Sequence, residues 1–262
     1  MAISTLDGYV AANKQMVPYF KSGSATSIAA TWFSIFDQVG NPGAGTLAGT
    51  STTTGTVPTD ATAGCPTITF STGTGYLTNV DFGNSVACRI AVYDMLWKGG
   101  AYAFNAAVSA QTPTSYSSRI TGGDYSGLQI WVETVTAATL NQTWNVTYTN
   151  QAGATGHTTG ANGIGSAPTI RRCWQLPLQA GDTGVQGVTG VTGGTGSAGT
   201  ANILVLRPLW TGRCRIANDG DVHALDKTGM PIIFQDSALF VLVAADSTST
   251  GVPELQLEIA NA

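Results

Sequence analysis

The chain has 262 residues, 43% of them hydrophobic and only 10% charged, against about 25% charged in ordinary soluble domains. A net charge of −4 and an isoelectric point near 4.9 argue against a nucleic-acid partner, because that binding rests on cationic neutralisation of phosphates. The longest apolar run, residues 238–245, is far short of the roughly 18–20 residues a spanning helix needs, so no membrane partner is expected.

With so few charges, the surface must be covered by Thr, Ser, Asn, Gln and Gly, or be hidden against other chains. The first ten residues, MAISTLDGYV, lack a basic segment followed by an apolar one. Synthesis in a cytoplasm without a secretory signal is therefore expected. Cys65, Cys88, Cys173 and Cys214 are widely separated in apolar or strand-like contexts and read as buried free thiols.

Residues 4–14, STLDGYVAANK, can be capped by Ser4 or Thr5 and place Leu6, Tyr9 and Val10 on one side of a short helix, with an extended arm as the alternative. Pro18 then holds Val17 extended, so residues 1–24 are expected to form an N-terminal arm outside the main domain, residues 25–262. Residues 28–39 alternate as a strand with Trp32, Ser34 and Phe36 on one face and Thr31, Phe33 and Ile35 on the other. Residues 40–64, full of Gly, Thr and Pro, read as one long loop.

Residues 85–93 form a strand with Val86, Cys88, Ile90 and Val92 on one face, and the segment DMLWKGG, residues 94–100, is expected to turn the chain. Residues 127–135 and 142–149 are rich in β-branched and aromatic residues, and the short link between them suggests a hairpin. Further strands are expected at 172–178, 201–209, 231–234, 239–244 and 255–259. In the last, Leu255, Leu257 and Ile259 point one way and Gln256 and Glu258 the other. Many short strands with turn signals between them predict an all-β fold, an antiparallel sandwich of jelly-roll type, with no strong helix beyond the N-terminus.

The stretch GDTGVQGVTGVTG, residues 181–193, carries glycine at every third position. A collagen triple helix depends on Pro in the intervening positions, and none stands there. Read as a strand, residues 185–192 are expected to pair with residues 201–209 across a loop at 192–200 that contains Gly193 and Gly196. Gly187 and Gly190 would then mark a close approach by a large side chain or another subunit.

Groups that could carry chemistry are sparse. His157 and His223 lack metal or catalytic spacing and read as loop histidines. The segment NDGDVHALD, residues 218–226, offers oxygen ligands for a cation but departs from the EF-hand pattern. It reads as a solvated turn with its corner at Asp219-Gly220, so no metal and no cofactor are expected. The glycine-rich GANGIG, residues 160–165, lacks the Lys-Ser/Thr of a phosphate loop. Glu133, Glu254 and Glu258 are the three glutamates, which leaves few acid/base pairs, and no enzyme is expected. Trp131 and Trp144 read as core or interface residues, while Trp97, Trp174 and Trp210 stay open. Arg171 with Arg172, and the set Arg207, Arg213 and Arg215, are the basic clusters. They are candidates for pairing with aspartates of a neighbouring chain, alongside a solvated or intrachain role.

The segments LDGYVAANKQMVPYFKSG, YDMLWKGG, VTYTNQAGATGHT, LPLQAGDTGVQ and LRPL, in this order across nearly the whole chain, resemble a family of virion structural proteins of tailed bacteriophages. The resemblance implies a capsid decoration or cement protein on the virion surface, with the major capsid protein and further copies of itself, as a homotrimer, for partners. A tail or receptor-binding module is the alternative. Leu6, Tyr9, Val10, Tyr19, Phe20, Arg171 and Arg172 are the residues expected to meet those partners.

Overall fold

The fold was determined as a computed structural model, which describes residues 3, 5–70, 74–105, 109–194 and 198–261. Ser4, one of the two expected helix caps, and Gly196 of the expected loop lie outside these residues. The chain is almost entirely β, with antiparallel sheets.

A short helix α1 (Leu6–Ala11) leads into β1 (Asn13–Lys21), β2 (Trp32–Ser34), β3 (Gly40–Asn41), β4 (Ser51–Thr56), β5 (Gly75–Asn84) and the long β6 (Cys88–Ala103). Then come β7 (Ser109–Ala110), β8 (Gln129–Thr136), β9 (Thr143–Asn150), β10 (His157–Thr158), β11 (Asn162–Gly163), β12 (Arg172–Leu176) and β13 (Val185–Gly193). The last part holds β14 (Thr200–Cys214), β15 (Asp219–His223), helix α2 (Leu225–Thr228), β16 (Ile232–Ile233), β17 (Leu239–Ala245) and β18 (Glu254–Asn261).

The chain divides into two compact units, residues 1–46, 59–94 and 209–262 in the first and 47–58 and 95–208 in the second. This replaces the expected division into an arm and a single domain. In the first unit one sheet runs in the order β15-β5-β18-β1-β3, with β16 beside β5, and β17 pairs with β2 and with the start of β6. Val17, Tyr19, Val80, Phe82, Leu255 and Leu257 from the first set share one buried cluster with Ile90, Val92, Val241 and Val243 from the second. In the second unit β9 lies between β10 and β13, with β7 beyond β13 and β11 also on β9. There β8 is flanked by β12 and β14, and Ile130, Val132, Trp144, Val146, Val188 and Ile203 share a second cluster.

Residues 13–21 are therefore not an arm. β1 pairs with β18 from Asn13↔Asn261 to Phe20↔Glu254, because Val17, Tyr19 and Lys21 alternate inward and all three are buried. The segment DMLWKGG continues β6 instead of turning. Met95, Leu96 and Trp97 are buried, and the Asp94 carboxylate accepts from Ser237 Oγ at 2.9 Å and the Ala238 amide at 3.0 Å. Its glycines serve close packing, since a Cβ on Gly99 would collide with the Trp97 ring and the Tyr102 hydroxyl.

The segments 127–135 and 142–149 form β8 and β9 but no hairpin, because β8 pairs with β12 and β14 while β9 pairs with β10, β11 and β13. Likewise, among the described residues β13 pairs with β7 and β9, and β14 with β8, not with each other. Of residues 28–39, Trp32–Ser34 alone form a strand. The 40–64 loop carries β3 and β4 and is held by side chains: Lys21 Nζ donates to the carbonyls of Pro42 at 2.9 Å and Gly43 at 3.1 Å, and Trp97 Nε1 donates to the Thr54 carbonyl at 3.0 Å.

Candidate interaction surface

Strand alternation builds an open face on the six-stranded sheet of the first unit. Where Val17, Tyr19, Leu255 and Leu257 point into the core, Met16, Pro18 and Phe20 lie opposite Glu258, Gln256 and Glu254 on the other side. On β5, Asp81 stands opposite Gln256, and Val222 of β15 stands opposite Asp81. Met16, Phe20 and Val222 stay 47%, 38% and 50% exposed. A groove on this face is lined by Phe20, Asp81, Asp219, Val252, Glu254 and Gln256, so apolar contacts sit among acidic groups.

Helix α1 is tied to this sheet by one residue. Thr5 Oγ1 caps it by accepting from the Gly8 amide at 3.0 Å, and the Tyr9 hydroxyl donates to Glu258 Oε1 at 2.7 Å. Thr78 Oγ1 donates to the same oxygen at 2.7 Å. The hydrogen bond to Glu258, with a smaller contribution from burial, raises the Tyr9 pKa above the ordinary phenol value. Leu6 and Val10, at 71% and 68% exposed, face away from the protein.

A second groove of the first unit is lined by Trp32, Arg89, Arg213, Arg215, Asp221 and His223. Trp210 Nε1 donates to His223 Nδ1 at 3.0 Å, which places the proton of neutral His223 on Nε2, 3.5 Å from Asp221 Oδ2. The Val222 amide, then Lys227 and His223, hold the Asp221 carboxyl below the usual range. The segment NDGDVHALD is thus strand β15 leading into α2, and Gly220 is a strand residue instead of a turn corner. The turn comes earlier, where Asn218 has φ 55°.

The second unit holds two polar clusters. Asn202 Nδ2 donates to Glu133 Oε2 and to the Leu47 carbonyl, both at 2.7 Å, while its Oδ1 accepts from the Gly49 amide at 2.8 Å. Lys98 Nζ lies 3.7 Å from the same Glu133 oxygen. Elsewhere Asp182 accepts from Tyr148 at 2.6 Å and Asn150 at 2.8 Å, with His157 Nδ1 at 2.7 Å. Burial works to raise the Asp182 pKa, but the hydrogen bonds from Tyr148, Asn150 and His157 outweigh it and hold the carboxyl low. Burial, followed by the bond to Asp182, pushes the Tyr148 phenol up to about 12. His157 is therefore a strand residue bonded to an aspartate and not a bare loop histidine. Both clusters join backbone segments.

Of the residues expected to meet partners, Phe20 lies on the open sheet face, and Leu6 and Val10 on the helix beside it. Tyr9 is engaged with Glu258. Tyr19 is fully buried and belongs to the core, because its place in β1 alternates with the exposed Met16, Pro18 and Phe20. Arg171 and Arg172 are half-buried residues of the second unit; Arg172 donates to Ser166 Oγ at 3.3 Å, and burial lowers its pKa. All four cysteines are buried, and Trp97, Trp131, Trp144, Trp174 and Trp210 are all buried. Sequence reasoning missed Asp81 and Glu254 as surface residues; their alternation with inward Val80, Phe82 and Leu255 is the signal that would have found them.

No family model and no curated protein matches the chain. Among solved structures, one titled "Structure of infectious bursal disease virus Gx strain" is similar at 8% identity over 95% of this chain and 80% of that chain, with a TM-score of 0.17. A likeness at that score carries no argument about fold or function.

Proposed function

We propose that the chain is a virion structural protein that decorates and stabilises the icosahedral capsid of a tailed phage, bound as an oligomer to the major capsid protein. The observation that carries this reading is the open face of the six-stranded sheet of the first unit. On it Met16, Phe20 and Val222 stay exposed beside Glu258, Glu254 and Asp81, and exposed apolar groups rimmed by polar ones suit protein contact. The resemblance of ordered segments to phage virion proteins supplies the partner. Each unit reads as an antiparallel sandwich of jelly-roll type, an architecture common in capsid proteins, although fold alone does not give function. An oligomer engaging several shell subunits at once gains avidity from modest contacts.

The test is co-sedimentation of the purified protein with phage shells that lack it, together with the heat needed to rupture those shells. Saturable binding at a fixed number of copies per shell, with a raised rupture temperature, is expected. Binding to tails but not to shells would contradict the reading.

A further inference from the structure

Two surfaces of the first unit carry opposite charge that is only partly neutralised within the chain. Asp81, Asp219 and Glu254 surround Phe20 in the sheet-face groove, and Arg89, Arg213 and Arg215 lie with Trp32 in the other, where the one carboxylate, Asp221, is met by Lys227 at 3.8 Å and His223 at 3.5 Å. Among the described residues Asp81, Glu254, Arg89 and Arg215 form no intrachain ion pair, and Arg213 reaches Asp246 only at 4.0 Å, with both side chains largely exposed. The whole chain has 11 basic and 15 acidic residues, so three arginines gathered in one groove are a concentration of its scarce positive charge. Exposed charges of this kind steer association and fix its register.

From this we infer that the acidic sheet face of one copy docks on the arginine groove of a second copy, with the exposed Phe20 ring supplying the apolar contact. The occupant is a second copy because both halves of the charge match stand on this chain. The inference deepens the decoration reading by assigning the contact that builds its oligomer. The two patches are different surfaces, so the contact is heterologous, and it closes into a ring if the rotation between copies permits.

The experiment uses the full chain and two charge-reversed variants, Asp81→Lys with Glu254→Lys and Arg89→Glu with Arg215→Glu. All four positions are exposed, so thermal unfolding should stay near wild type. Light scattering should show wild-type oligomers that dissociate as salt screens the contact. Each variant alone should associate at least about tenfold more weakly, and an equimolar mixture of the two should recover association. A wild-type chain that stays monomeric at low salt, oligomers indifferent to salt, or a mixture that stays dissociated would overturn the inference. Shell binding is read separately. Variants that lose shell binding while keeping wild-type oligomers would sink the inference and leave the decoration reading standing, whereas charge-dependent oligomers that never bind shells would do the reverse.

Discussion

Val188 of β13 lies directly across from Tyr148 of β9, and the ladder steps from Val185↔Asn150 to Gly187↔Thr149 and from Val188↔Tyr148 to Gly190↔Thr147. Gln186 and Thr189 are thus left out of the register as bulge residues. Two bulges spaced by three turn a period of two into a period of three, and Val185, Val188 and Val191 are all buried. The glycine triplet therefore encodes a doubly bulged strand. Deleting Thr189 should remove one bulge and leave Val188 and Val191 two residues apart on the same inward face, still opposite Tyr148 and Val146, so it should lower the melting temperature less than Val188→Ala, which should cost about 2 kcal/mol. A deletion that unfolds the protein, or costs more than Val188→Ala, would contradict the bulge account.

Asn202 holds the segment at Leu47 and Gly49 against Glu133. Asn202→Ala leaves the Leu47 carbonyl and Gly49 amide without this partner and should cost about 2–4 kcal/mol. Proteolysis should speed up within residues 47–58. Asn202→Asp would set a second carboxylate beside Glu133, so one of the two must take a proton. That variant should be markedly less stable at neutral pH than in mild acid, as urea midpoints at the two pH values would show.

The buried Lys21 ammonium donates to three carbonyls, those of Gln38, Pro42 and Gly43, and burial pushes its pKa down to about 8 from the ordinary 10.5. Between those values the unfolded chain binds more protons than the folded one, so this group makes stability rise with pH across that window. Lys21→Met should lose that contribution. The wild-type urea midpoint should gain on the variant's as pH rises from about 8 to about 10.5; parallel profiles would contradict it.

The N-terminal segment contains two different things. Removing residues 1–11 deletes α1 and the Tyr9 bond to Glu258, which should cost about 1 kcal/mol and leave the circular dichroism of the fold intact. Removing residues 1–21 takes out β1 with its buried Val17, Tyr19 and Lys21 and should abolish cooperative unfolding. Equal behaviour of the two truncations would be inconsistent with β1 as a sheet strand.

Strand identity was legible wherever side chains alternate cleanly, as in Leu255, Leu257 and Ile259 of β18 and Cys88, Ile90 and Val92 of β6. Pairing was not. Alternation says which side of a strand is buried but not which partner buries it, so proximity in sequence points β8 to β9 and β13 to β14 where each pairs elsewhere. Polar and glycine residues inside DMLWKGG read as a turn because Asp94 meets Ser237 only in three dimensions. The open face was half legible: Phe20 was marked as a contact residue, while Asp81 and Glu254, acidic residues that β1, β5 and β18 gather onto one surface, carry no local signal of their neighbours. The arginine groove draws on Arg89 as well as Arg213 and Arg215, and residues so far apart in sequence become one patch only through the fold.

The proposed place of this chain is the surface of a phage capsid. Electron microscopy of the proposed phage particle, labelled with an antibody to the exposed Leu6–Ala11 helix, measures that directly. The account requires label at regular symmetry-related sites over the head surface. Label confined to the tail, or absent from the particle, would contradict it.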